Sequence, residues 1–348
     1  MTSGKKERHI AKRDVINFIL SLILTAVFLY IAFYDVNFGE VLDQVSKASL
    51  FWVIIFIIVL LLSHFLRAIR WKVIISSVKP DASLKNLFGS LMVGYGVNCV
   101  IPRLGEITRA VLLGKWERIS RSSMFGTVIV ERVIDIIFLG LSVIVAALIY
   151  SGNLYLSFPW LKTTLYITSA LIAVFLVFIL MVVRFKEKFY GAIVKLLGRI
   201  SEKLAHKAGY IFKMLTEGFA SLKGTRNYVL TFLLSVLIML FYALNAYVGM
   251  IMIGLPHVTF AMAWILMSIS AIGVVIPTPG GTGSYHALAK SALVLLFGYG
   301  EVISLAYAFL THIISYLLFI ILSLIIFFVL NRQHDNLINV VETEMEEL

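Results

Sequence analysis

Val100-Ile101-Pro102-Arg103-Leu104-Gly105-Glu106 and Val275-Ile276-Pro277-Thr278-Pro279-Gly280-Gly281 align without a gap, about half the chain apart. Each string interrupts an apolar region, about 84–113 and about 258–298. Proline removes a backbone donor and stops a helix. Hydrocarbon supplies no partner for backbone polar groups, so irregular chain at membrane depth must be buried in protein or line a wet cavity. Two such breaks, each between a preceding apolar half and a following helical half, predict helix-break-helix hairpins.

The surrounding composition sets the solvent. Apolar residues make up 60% of the chain and charged residues 14%, with a mean hydropathy of +0.97. Soluble domains rarely exceed about 50% apolar. The apolar residues also run in stretches long enough to span a hydrocarbon core of about 30 Å. Six segments read as full crossings: about 14–34, 50–72, 124–150, 161–183, 227–253 and 303–330. The net charge of +11 is that of basic cytoplasmic loops beside anionic lipid, and nucleic acid is not an expected partner. The single cysteine, Cys99, excludes an internal disulfide. The first apolar stretch is as long as a span and has no clear small-residue cleavage site, so it does not read as a signal peptide.

Basic residues orient the chain. Lys5, Lys6, Arg8, Lys12 and Arg13 put the basic N-terminus, residues 1–13, in the cytoplasm. Arg67, Arg70, Lys72, Lys79 and Lys85 end the second span on the same side. The 184–226 loop, with ten Lys or Arg against three Glu, is cytoplasmic. Its apolar residues recur near a helical period, as in helices lying on the inner leaflet. The scheme closes only if both broken regions are re-entrant, the first open to the cytoplasm and the second to the outside. The expected fold is therefore an all-α polytopic inner-membrane protein with six full transmembrane helices and two re-entrant broken hairpins. These form one transmembrane domain over 14–330, followed by an acidic cytoplasmic tail at 331–348. Three full crossings separate the repeat units, which inverts the second. Inverted repeats with discontinuous helices near the midplane are a transporter arrangement.

Charges at membrane depth are costly, so each is a candidate for function. Arg103, Glu106 and Arg109 sit at the first break, where Glu106 is expected to pair with either arginine on an adjacent turn. Arg103 and Arg109 flank the break and suit phosphate. Glu131 and Asp135 lie four apart, hence on one helix face. With Arg132 they read either as a structural ion-pair cluster or as balancing charges and proton acceptors. Gly280, Gly281 and Gly283 let the second break turn, with Tyr285, His286 and Lys290 beyond it. Lys290 equally suits the outer headgroups. Arg67 and Arg70 end a helix and read as snorkelling anchors. Asn98 and Asn245 read as joints between helices, and His64 and His312 as packed. Helix halves restarting near Glu106 and Ser284 would aim their N-termini at an anion.

Four motifs occur here in order: Arg67-Ala-Ile-Arg70-Trp71, Ile101-Pro-Arg-Leu-Gly-Glu106, Glu131-Arg-Val-Ile-Asp135 and Pro277-Thr-Pro-Gly-Gly-Thr-Gly283. The chain, over roughly 10–330, resembles the lysylphosphatidylglycerol synthase transmembrane family, also called flippase-like domain proteins. The resemblance implies a membrane fold that moves lipid between leaflets. It carries Arg67, Arg70, Arg103, Glu106, Arg109, Glu131, Arg132, Asp135, Pro277, Gly280, Gly281 and Gly283 as candidate residues. Bifunctional members add a soluble synthase domain, for which a chain of 348 residues leaves no room. A stand-alone flippase is therefore the expectation.

Pro-Gly-Gly-x-Gly lacks the Gly-Lys-Ser/Thr of a phosphate-binding loop. No compact metal-ligand motif such as His-Glu-x-x-His occurs, so neither cofactor nor metal is expected. The expected function is transport of a phospholipid or polyprenyl-phosphate-linked lipid, with no catalysis and with homodimerisation left open. Two alternatives remain. One is a non-catalytic membrane partner of a lipid-modifying enzyme. The other is a headgroup transferase or phosphatase recruiting Glu131, Asp135 or His286 as base.

Overall fold

The computed structural model describes residues 12–150 and 224–346, with isolated positions between them. Regular structure among the described residues is entirely helical. Helices α1 (Lys12–Phe33), α2 (Phe38–Ser46), α3 (Leu50–Ile75), α4 (Leu84–Val100), α5 (Leu104–Trp116) and α6 (Arg121–Ile149) form the first half. The second half holds α7 (Thr225–Met252), α8 (Phe260–Val275), a 3-10 turn at Pro279–Gly281, α9 (Ser284–Phe297) and α10 (Glu301–Glu346).

Four helical stretches are long and apolar enough to cross a membrane: Leu50–Ile75, Ser123–Ile149, Thr225–Met252 and Glu301–Leu330. They match four of the expected crossings. The crossing expected at 14–34 forms as α1, but the chain then bends by 80° into α2, and the pair counts as a fifth candidate. The sequence reading treats 35–49 as a loop, whereas Phe38–Ser46 is helical, capped by the Asn37 side chain accepting from the Gly39 amide at 2.9 Å. The span at 161–183 and the amphipathic loop at 184–226 lie outside the described residues, apart from isolated positions and the loop's last few residues. At the other end, α10 continues through most of the 331–348 tail to Glu346. The tail contains no Gly or Pro to stop it.

Both broken regions fold as short helix, break, short helix. In the first, Pro102 ends α4 and Arg103, with φ 65°, starts α5. In the second, α8 stops at Val275 and the chain turns through Pro279–Gly281 before α9. Each hairpin closes where side chains are smallest. A Cβ on Gly105 would lie 1.9 Å from the Gly94 carbonyl oxygen, and one on Gly273 would lie 2.7 Å from that of Ser284. Small residues let helices in hydrocarbon approach this closely, where packing rather than water exclusion holds them together.

Packing crosses between the halves. Helix α3 lies along α7, α4 against α10, and α6 against α8. One core joins α3, α7, α8, α9 and α10 around Phe56, Leu266, Ile269, Leu293 and Leu305. A second joins α3, α4, α5 and α6 around Trp71, Ile74, Leu91, Leu113 and Val128. The outer faces are apolar too, with Leu148 79% and Phe328 68% exposed. Contiguous apolar surface on this scale needs a hydrocarbon surround.

Candidate functional site: an ion-pair lock behind a polar cavity

The α3 residues Arg67 and Arg70 share a face with Trp71, and α6 presents Glu131 and Asp135 one turn apart to meet them. Arg67 Nη2 donates to Glu131 Oε1 at 2.6 Å and to Asp135 Oδ2 at 2.7 Å. Arg70 Nη2 bonds Asp135 Oδ1 and reaches Glu131 Oε1 at 3.3 Å. From α5, Arg109 Nη1 donates to Glu131 Oε2 at 2.6 Å, its guanidinium 4.9 Å from the Trp71 ring centroid. Arg132 joins through Asp135 at 3.0 Å and faces Glu106 at 3.8 Å. Two further contacts tie α7 in: Arg67 to the Tyr242 hydroxyl at 3.1 Å and Arg70 to Ser235 Oγ at 3.0 Å. Each charge is expensive in a low dielectric, and mutual pairing with several hydrogen bonds offsets that cost. The network locks α3, α5, α6 and α7 together.

Two expectations change here. Arg67 and Arg70 are not snorkelling anchors, because they are 5% and 0% exposed. The carboxylates that draw them inward come from a helix more than sixty residues away. Arg109 does not pair with Glu106; it is buried, and Glu131 takes it. Glu106 instead accepts from Asn98 Nδ2 at 3.2 Å.

In front of the lock lies a cavity of about 450 Å³ between the two broken pairs. Its charged wall is built from Arg67, Arg103, Glu106 and Arg132. The rest of its polar lining is Tyr242, Asn245, Tyr285, Thr311, His312 and Tyr316, all from the second half. The two breaks meet at its edge. Gly280 has φ 58°, and a Cβ there would lie 2.8 Å from the Tyr316 ring and 3.4 Å from Cys99 Cα. The Tyr316 hydroxyl donates to the Cys99 carbonyl at 2.5 Å, bonding α10 to the end of α4. Arg103, held in the left-handed region, forms no ion pair among the described residues and is exposed to the cavity mouth.

The structure thus brings Arg67, Asn98, Arg103, Glu106, Arg132, Gly280, Gly281 and Tyr285 onto one cavity, with Arg70, Arg109, Glu131 and Asp135 in the lock behind. Three candidates lie elsewhere. Gly283 backs onto α1, a Cβ there falling 2.7 Å from the Thr25 carbonyl oxygen. His286 accepts from the Gly283 amide at 3.2 Å and lines a separate apolar cavity of about 680 Å³ with Phe33, Phe38 and Phe309. Lys290 pairs with Glu301 at 2.7 Å. The anion site expected at the restarting helix ends is partly occupied by the protein itself, since Asn98 Oδ1 accepts from the Gly105 amide at 2.7 Å.

His64, Asn245 and His312 do more than the sequence reading gave them. Asn245 does join helices, through Nδ2 to the Phe56 carbonyl at 2.9 Å, and His64 is packed at 4.5 Å from the Tyr95 ring. All three also line the cavity. Thr311, Ser315 and Tyr316 are new, and their spacing along one face of the last span was the available signal.

The family described as "Lysylphosphatidylglycerol synthase TM region" matches residues 18–323. A UPF0104 membrane protein of Methanocaldococcus jannaschii is 25% identical over 94% of this chain and 97% of its own length. Another, from Methanothermobacter thermautotrophicus, is 26% identical over 76% of this chain and 80% of its own. No solved structure matches the chain.

Proposed function

The chain belongs to the lysylphosphatidylglycerol synthase transmembrane-region family, an integral multi-pass membrane fold, and from that premise we propose that it moves a phosphate-bearing lipid between the leaflets of the cell inner membrane. The observation that carries this is the cavity with one wall from each broken pair. Around it, Arg67, Arg70, Arg109 and Arg132 face Glu106, Glu131 and Asp135 among the described residues, which leaves one positive charge over. Arg103 adds a second at the mouth. The excess suits an anionic headgroup, while the tails stay in the hydrocarbon beside the apolar outer faces.

In this reading α3–α6 and α7–α10 are inverted copies, with both termini cytoplasmic. Corresponding helices pack alike: α4 on α5 as α8 on α9, and α4 on α10 as α8 on α6. Rocking one copy against the other would open the cavity to each side in turn. The enzymatic alternative loses support, since Glu131 and Asp135 are held in ion pairs and His286 faces the other cavity. The test is the purified protein in vesicles carrying a fluorescent phospholipid, with quencher added outside. Transport predicts that the protected fraction falls well below that of empty vesicles. An unchanged fraction under every imposed ion gradient, with no lipid bound by the protein, would overturn the proposal.

A further inference from the structure

Two consecutive residues of the second break, Thr282 and Gly283, each rest on a histidine. The Gly283 amide donates to His286 Nδ1 at 3.2 Å, and Thr282 Oγ1 pairs with His312 Nε2 at 3.2 Å. The first of these bonds holds the start of α9 and depends on charge. A ring nitrogen that accepts carries no hydrogen, so neutral His286 keeps its proton on Nε2. A proton added to the ring goes to Nδ1. The acceptor then becomes an N–H facing the Gly283 N–H, and the bond is lost. The carboxylates of the lock offer no comparable site, since arginines already hold Glu131 and Asp135.

The two rings lie 4.6 Å apart between centroids. Two imidazolium ions this close repel, so the pair takes up one proton. His312 lines both the central cavity and the apolar one, which puts it between His286 and the central cavity. Around the pair, α1 presents Tyr30, α9 Tyr285 and α10 Tyr316, while α8 has no titratable side chain. Helix α2 presents Phe38, its Glu40 and Asp43 being exposed. Lys290, one turn further along α9, is paired with Glu301. Beyond His312 stand Arg67, Arg103 and Arg132 against Glu106. The apolar cavity contributes no carboxylate among its described residues. An imidazolium at His286 would therefore lack a counter-ion here, besides losing its bond to the break. This arrangement belongs to the neutral pair. The protonated pair favours one in which the second break has shifted and water reaches the rings.

Building on the transport reading, we infer that His286, with His312 beside it, is a proton site that couples lipid movement to a pH gradient. One proton binds the pair as the second break shifts and leaves to water as the break closes again. The test places the full chain in vesicles of phosphatidylethanolamine and phosphatidylglycerol, with a trace of either lipid in fluorescent form in parallel samples. A pH gradient is then imposed in either sense. Coupling should draw the label towards one leaflet, by up to about tenfold per pH unit for one proton per lipid. Reversing the gradient should reverse the bias, and a proton ionophore should abolish it. His286→Gln keeps an acceptor for the Gly283 amide but takes up no proton. It is expected to move lipid without a gradient and to show no bias. Pyranine trapped inside gives a readout that needs no variant: the gradient should decay faster with the protein than in empty vesicles. Lipid movement without bias, a bias that survives in His286→Gln, or decay no faster than in empty vesicles would overturn the inference and leave transport standing. If neither lipid moved under any gradient, both would fall.

Discussion

Arg103 and Arg109 stand two helical turns apart with the same charge and opposite surroundings. Arg103 is exposed at the cavity mouth without an ion pair among the described residues, whereas Arg109 is 4% exposed and bonded to Glu131. Their alanine variants should therefore separate. Arg103→Ala is expected to leave thermal stability nearly unchanged and slow lipid movement about tenfold, the loss of one charge-assisted hydrogen bond. Arg109→Ala is expected to destabilise by about 3–5 kcal/mol, because it leaves part of a buried carboxylate unpaired. Glu131→Gln should cost a similar amount, since Arg67, Arg70 and Arg109 all address that side chain. Melting curves in detergent alongside the vesicle assay check all three. Equal effects of Arg103→Ala and Arg109→Ala on stability would contradict the division into cavity and lock. The residue types at these positions were legible in the sequence, because a charge within an apolar run is conspicuous. Their partners were not. Arg67 meets Glu131 across 64 residues and Tyr242 across 175, and hydropathy carries no information at that range.

The broken helix pairs were legible for a local reason: proline and glycine act on their own neighbours. What the local pattern left open was how closely each pair closes. Gly105 faces the Gly94 carbonyl with no room for a Cβ. Gly105→Val is therefore expected to pry α5 from α4 and to lower the yield of folded protein sharply, measured by size-exclusion chromatography. Gly280→Ala belongs to the same scale but is milder. It places a Cβ in the left-handed region and against Tyr316, so a loss of about 1–2 kcal/mol is expected. Helix α2 escaped the sequence reading although Phe38, Val41, Leu42 and Val45 recur at helical spacing, because nine residues between two expected spans are too short to stand out beside them.

For the molecule as a whole, the re-entrance expected of both broken pairs has a direct consequence for sidedness. In a background with Cys99 replaced by alanine, single cysteines at Lys79 and Arg118 flank the first broken pair, and those at Pro256 and Tyr299 flank the second. Each pair should label from one side: the first from the cytoplasm, the second from outside. A membrane-impermeant thiol reagent applied to intact cells and to inverted vesicles reads this out. Labelling of Lys79 and Arg118 from opposite sides would show that the first region crosses fully. By itself the sequence determined the solvent, the long apolar helices and the places where chain continuity fails, because hydropathy and backbone chemistry act over a few residues. Only the tertiary structure decided that four arginines and three carboxylates from three helices converge as a lock. It also decided that the two breaks meet at one cavity and that His286 and Lys290 stay outside it. Those outcomes depend on which helix faces lie against each other, a property of packing between distant segments rather than of any segment alone.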